Sequence, residues 1–308
     1  MPYGDLVLTS AAFREGHPPR AVLQVGGRFA SKRLRLFLRD SAPEVWAVVR
    51  PDPSRIDPDH RVTHHVEAAV PAAVDALVAR LEEGPRGTTW CDDWAGASER
   101  AGAVVQAHVQ ESDALTDPLV AALLTEEMPS EHALLAASSM PVRDLNRHAA
   151  PGGTGGPAFA NRGASGIDGT VATAAGIAKG RDGPVTLLIG DLALQHDLNG
   201  LALLQDRPVV AIVVNNDGGG IFHFLPIRKH DEFDPYFTTP HGHDFEHAAA
   251  LFDLPYHRPD SPSALRSAYA QACRSGESAL IEVRTDRATN RQVHDRLEAS
   301  VERAVEEG

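Results

Sequence analysis

Short apolar runs closed by turn residues recur along the chain: AVLQVGG (21–27), EVWAVVR (44–50), HALLAAS (132–138), PVTLLIG (184–190), PVVAIVVN (208–215) and ALIEVRT (279–285). Runs so short and so continuously apolar are typical of strands buried on both faces of a parallel sheet. Between them the pattern changes to a helical one, in VPAAVDALVARLEE (70–83), TVATAAGIAKG (170–180), LNGLALLQ (198–205), FEHAAALF (245–252) and SALRSAYAQACRS (263–275). The final stretch, RQVHDRLEASVERAVEEG, reads as a charged amphipathic terminal helix. Strand–helix alternation predicts an α/β architecture with a parallel sheet and right-handed crossovers. A division is expected near QESDALTDP (110–118), with a small, partial Rossmann-like unit over 1–112 and a fuller unit over 113–308. The Gly/Pro-rich segment PGGTGGP (151–157) reads as a flexible connector within the second unit.

Composition narrows the function classes. With 43% hydrophobic and 23% charged residues, the 308-residue chain has enough apolar material for two cores. No apolar run approaches the ~20 residues that span a bilayer. The N-terminal MPYGDLVLTS lacks a basic stretch followed by an apolar one, so no secretory signal is expected. Cys91 and Cys273 are too far apart for a metal-binding spacing or a disulfide framework, which fits a reducing cytoplasm. A formal net charge of -13 argues against nonspecific nucleic-acid binding, which needs a positive field. It leaves room for an anionic small substrate, because a few arginines and lysines can dominate one cleft.

The chemistry concentrates in IGDLALQHDLNGLALLQDRPVVAIVVNNDGGGIF (189–222). Gly190-Asp191 ends one expected strand, and Asn215-Asn216-Asp217-Gly218 ends the next. Both polar clusters therefore fall at the carboxyl edge of neighbouring parallel strands, where open α/β sheets bind ligands. Asp191 offers a carboxylate, Asn216 a side-chain carbonyl and Gly218 a backbone carbonyl. Two phosphate oxygens and a water would complete the six oxygens that Mg²⁺ takes at roughly 2.0–2.1 Å. Glycines 218–220 let the backbone approach a cofactor without a Cβ clash. The competing explanation is an ordinary pair of strand-end turns, since Gly-Asp and Asn-Asp-Gly are common turn formers. His223, His230, His241, His243 and His247 read as loop and surface histidines, because His241-Gly242-His243 lacks a further ligand at diagnostic spacing.

The spacing from Gly-Asp to an Asn some 25 residues later resembles the thiamine-diphosphate signature, with Leu192 in place of the commoner Gly. NRGASGIDGTVATAAG (161–176), GDLALQHDLNGLALL (190–204), VVNNDGGGIFHFLP (213–226), FEHAAALFDLPYHRP (245–259) and SKRLRLFL (31–38) are similar, in order, to one branch. That branch is the 2-succinyl-5-enolpyruvyl-6-hydroxy-3-cyclohexene-1-carboxylate synthase family of menaquinone biosynthesis. The resemblance implies a transferase that joins 2-oxoglutarate, with decarboxylation, to isochorismate, using thiamine diphosphate and Mg²⁺. It implies Asp191, Asn216 and the backbone of Gly218 as metal ligands, with Gly190 beside them. Asp217 stands where an Asn is common, adding a negative charge. Ile167 would prop the cofactor in its bent form, with Gly166 and Gly169 permitting the tight loop before a helix N-terminus. Ser139 and Arg143 in SSMPVRDLN (138–146), Arg162, Lys32 and Arg33 would receive the carboxylates of the substrates, which suit bidentate arginine. Ile221 and Phe222 would wall the pocket.

Members of that family also have a pyrimidine-binding domain with an activating glutamate, and no segment here resembles it. The chain is therefore expected to be a C-terminal portion, working as a homo-oligomer or with a separate pyrimidine-domain chain. A noncatalytic cofactor-binding remnant is the alternative. A subunit of another thiamine-diphosphate 2-oxoacid decarboxylase is a further one, against which the NRGASGIDG and SKR motifs speak.

Overall fold

The computed structural model describes residues 1–81, 89–153, 155–164 and 166–308. Its contacts divide the chain into two units, Met1–Val104 with Glu298–Gly308, and Val105–Leu297. The division thus falls a few residues before the expected one, inside the helix Thr89–Glu111, and the last eleven residues join the first unit. A helical period cannot announce that its two ends pack in different units.

In the first unit, strands β1 (Ala21–Val25), β2 (Val45–Arg50) and β3 (His64–Glu67) form a parallel sheet in that order. Strand β3 has the sequence HHVE with every residue exposed, so no apolar run marked it. The helix Val70–Val78 follows; the end of the helical stretch at 82–83 lies outside the described residues.

The second unit holds six parallel strands: β4 (Ala133–Ala136), β5 (Ala158–Ala160), β6 (Val185–Gly190), β7 (Val209–Asn215), β8 (Tyr256–His257) and β9 (Ala279–Arg284). Their order is β5-β4-β6-β7-β9-β8. Side chains alternate across a strand, so one strand serves two cores. Val209, Ala211 and Val213 of β7 pack with Val171, Ala174 and Ala178 of the helix Thr170–Arg181. Val210, Ile212 and Val214 pack with Val120, Leu123 and Leu124 of the helix Asp117–Glu127 and with Leu265 and Tyr269. Helices thus cover both faces of this sheet, as the apolar runs require. Residues Leu198–Leu204, expected as α-helix, form a 3₁₀ helix. No helix among the described residues is long and apolar enough to cross a membrane.

Within the stretch expected as a flexible connector, Gly153 and Gly156 lie close against neighbouring backbone. A Cβ on Gly153 would collide with the Thr125 carbonyl, and one on Gly156 with the His132 carbonyl. The Thr125 hydroxyl also accepts the Ala150 N–H at 2.8 Å. These glycines admit close backbone packing.

Candidate functional site

Strand β4 lies between β5 and β6, so the chain leaves it on one side and returns on the other. Such a switch point opens a crevice at the carboxyl ends of the strands. A cavity of about 160 Å³ sits there. Ser138 and Ser139 border it after β4, Gly190 and Asp191 after β6, and Asn216, Gly219 and Gly220 after β7. Ile167, Ile221 and Phe222 supply apolar wall, and Phe222 meets Phe237 edge-on at 5.5 Å.

Asp191 is 4% exposed and ties the ends of two strands together. Its Oδ1 accepts the Leu192 N–H at 2.7 Å, and its Oδ2 accepts the Gly218 N–H at 2.7 Å. The Nε2 of His241 lies 3.2 Å from the same Oδ2, and the His241 side chain is 8% exposed. His241 therefore belongs to this site, where the sequence suggested a surface loop. Asp217 sits at φ 61° with its Oδ1 accepting the N–H groups of His241 and Gly242 at 2.9 and 2.7 Å. The Gly242 N–H above all, then the His241 N–H and nearby positive charge, hold its carboxyl below the usual range.

The Gly218 carbonyl accepts from Arg287 Nη1 at 3.1 Å, and the same nitrogen donates to the carbonyls of Asp217 and Thr238 at 2.6 and 3.0 Å. A guanidinium thus occupies the backbone oxygen expected to hold a metal. Asp191 and Asn216 are the two expected ligands that share the cavity. A Cβ on Gly219 would meet the Thr238 carbonyl at 2.6 Å, so that position excludes a side chain, while one on Gly220 would meet the Asn216 side-chain amide at 2.6 Å and have to displace it.

Behind Asn216 a buried network fixes the loop. Asn215 Nδ2 donates to Glu282 Oε1 at 2.8 Å and to the His243 carbonyl at 3.0 Å, while its Oδ1 accepts the Asp217 N–H at 3.2 Å. Glu282, fully buried in β9, also accepts the Phe245 N–H at 2.8 Å and the Tyr256 hydroxyl at 2.9 Å. Burial and then the hydrogen bond to Glu282 raise the Tyr256 hydroxyl well above its ordinary value. Sequence reasoning passed over Glu282 and Arg287, took His241 for a surface histidine, and had only the doubled Asn at 215–216 to hint at Asn215.

Arg143 is half-buried and donates to the Ser139 carbonyl. Burial, and next the like charge of Arg162, push its guanidinium below the ordinary value, so the two cations feel each other. Neither guanidinium borders the cavity. Gly166 precedes Ile167, and a Cβ there would collide with the Asp168 carboxylate. Gly169 takes φ 64° ahead of the helix Thr170–Arg181. In the first unit, Lys32 is exposed, while Arg33 pairs with Asp5 at 2.8 Å and Glu298 at 3.0 Å. Two further acids, Asp117 and Asp144, border the cavity. Burial, and next the Asp144 charge, push the Asp117 carboxyl up to about 7.

Two family models match: the middle domain of thiamine pyrophosphate enzymes over residues 1–136, and the C-terminal TPP binding domain over 132–283. A 2-succinyl-5-enolpyruvyl-6-hydroxy-3-cyclohexene-1-carboxylate synthase of Salinibacter ruber is 98% identical over the whole chain, which covers 52% of that protein. Synthases of the same name from Rubrobacter xylanophilus and Chlorobium chlorochromatii are 50% and 39% identical over 96% and 98% of the chain, which covers 52% of each. The chain spans about half the length of the curated relatives it matches. Among solved structures, a protein described as a thiamin diphosphate-dependent enzyme from Mycobacterium smegmatis matches 87% of the chain and 48% of its own. Its TM-score is 0.60 at 19% identity, a likeness of fold. The chain belongs to the 2-succinyl-5-enolpyruvyl-6-hydroxy-3-cyclohexene-1-carboxylate synthase family of thiamine pyrophosphate enzymes, as a portion with the middle and C-terminal TPP-binding domains.

Proposed function

We propose that the cavity at the switch point holds the diphosphate end of thiamine diphosphate through Mg²⁺, and that the complete enzyme joins 2-oxoglutarate to isochorismate. The observation that carries this is the meeting of Asp191 and Asn216, from neighbouring strand ends, around one cavity. The donor set fits: one carboxylate and one amide carbonyl are hard oxygen ligands of the kind Mg²⁺ takes alongside phosphate. The Gly218 carbonyl would join them by giving up its hydrogen bond from Arg287. Thiamine diphosphate, when bound, supplies the carbanion chemistry that amino-acid side chains lack. This chain's residues bind and orient. Ile167 offers an apolar prop, Ile221 and Phe222 exclude water, and Gly219 and Gly220 let the backbone come close. Ser139 borders the cavity, and Arg143, four residues on, and Arg162 are assigned to the substrate carboxylates although neither guanidinium lines the cavity itself.

The acids bordering the cavity are Asp117, Asp144 and Asp191, with no glutamate among the described residues. The activating glutamate is accordingly assigned to a pyrimidine-binding segment outside this sequence, on a separate chain or a longer form of this one. The same observation favours a second reading, a module that holds cofactor without turning over substrate. The two free cysteines suit a reducing cytoplasm.

Calorimetric titration with thiamine diphosphate in the presence of Mg²⁺ tests the cofactor site. Asp191→Ala is expected to abolish Mg²⁺-dependent binding; equal affinity in the variant and a binding wild type would sink the assignment. Isochorismate consumption on adding a pyrimidine-domain chain separates the synthase from the inert module.

A further inference from the structure

A trio of buried side chains beside the cavity plays no part in the cofactor reading. Asp144 and His148 lie four residues apart on the helix Met140–His148, hence on one face. His294, on the terminal helix Arg287–Glu306, meets them there. One ligand atom from each falls within 4.8 Å of the others, and the residues are 2%, 1% and 1% exposed.

Buried polar atoms in native proteins nearly always have hydrogen-bond partners. Here Asp144 Oδ1, both ring nitrogens of His148 and both of His294 have none among the described residues. His294 Nε2 and Asp144 Oδ1 are 3.2 Å apart, yet they are not aligned as donor and acceptor. A shared ion explains both facts. Bonds of about 2.0–2.1 Å in a tetrahedral centre set ligand atoms ~3.4 Å apart. Two imidazoles and one carboxylate are a borderline donor set that suits zinc and its neighbours and is wrong for Mg²⁺, which takes oxygen. The group is shielded. The Phe224 ring meets the His294 ring edge-on at 4.9 Å, and Arg291 lies 4.7 Å above Phe224. Asp144 borders the cavity, which gives an ion a way in.

We propose that Asp144, His148 and His294 bind a divalent transition-metal ion of the zinc class, distinct from the cofactor's Mg²⁺. The ion fastens the helix that carries Arg143 to the terminal helix. It acts as a clasp between the two helices, with water left to complete its shell.

The test uses the full chain, stripped with chelator and titrated with Zn²⁺ against a chromophoric competitor, followed by zinc X-ray absorption at one equivalent. One Zn²⁺ per chain with two imidazoles and an oxygen in its shell is expected. His148→Gln and His294→Gln should weaken binding by more than the 10–100-fold that loss of an outer-sphere partner costs, and Asp191→Asn should leave it unchanged. No binding, a shell of oxygens only, or loss in Asp191→Asn with retention in His148→Gln would overturn the site. The absorption spectrum of the wild type decides the matter even if the histidine variants fail to fold.

Discussion

The two parallel sheets differ in what covers them. In the second unit every residue of β7 is buried, as are five of the six in β6 and in β9. In the first, Leu23, Val25, Val45 and Val66 are 41–50% exposed, and the helix Val70–Val78 has no buried residue. Apolar runs supply β1 and β2 as well as β4, β6, β7 and β9, so strand formation does not depend on two-sided burial. What differs is the charge within the sheets: Glu282 is fully buried in β9, whereas Arg50 of β2 is half-buried and Glu67 of β3 exposed. Glu282 and Asp191 persist in the second unit because packed neighbours hold their hydrogen-bond partners in place. Polar precision needs a packed surround.

Three substitutions probe that contrast. Glu282→Ala should have the largest effect, roughly 3–5 kcal/mol, because it unpairs Arg284, leaves the Phe245 N–H and the Tyr256 hydroxyl without a partner and takes one of two acceptors from Asn215. Urea unfolding of the whole chain reads the loss, and a loss below 1 kcal/mol would mean the network is ornamental. Next, Leu187→Ala in β6, fully buried, should cost about 2–5 kcal/mol. Val66→Thr in β3, 42% exposed, should stay within about 0.5 kcal/mol. Similar costs at the two sites, by the same unfolding measurement, would erase the distinction between the sheets.

A further effect concerns pH. Asp117 keeps its proton in the folded state up to about 7 and loses it near the ordinary carboxylate value when unfolded. Folding therefore takes up a proton between those limits. The stabilisation is complete below pH 4 and gone above about 7, falling by about 1.4 kcal/mol for each pH unit across pH 5 to 6. Asp117→Asn, which can still accept from Thr285 and Asn290, should remove this slope. A slope unchanged in the variant, in melts recorded from pH 4 to 8, would show that the proton sits elsewhere.

Six of the nine strands were legible as apolar runs. The other three were not, for physical reasons: β8 has two residues, β5 has three, and β3 is polar and exposed. Such edges are fixed by their neighbours' hydrogen bonds and not by their own composition. The helix Thr89–Glu111 escaped notice because its apolar residues form only a weak stripe among alanines and charges. At the site, the spacing of Asp191 and Asn216 could be read because one helix and one strand separate them. His241, Glu282 and Arg287 could not, since their partners lie 50, 67 and 69 residues away in sequence. The histidine density near 241 gave no sign of which ring turns inward.

The glycine segment at 151–157 has a meaning for anyone who re-engineers this chain. A glycine-rich stretch between two strands invites a cut, a tag or a spliced-in domain, and permutation schemes favour such places. Here the main chain of Gly153 and Gly156 presses on that of Thr125 and His132. The stretch is a seam that joins the approach to β5 with the approach to β4. Opening it would unpick the edge of the sheet next to the switch point, so new termini belong elsewhere.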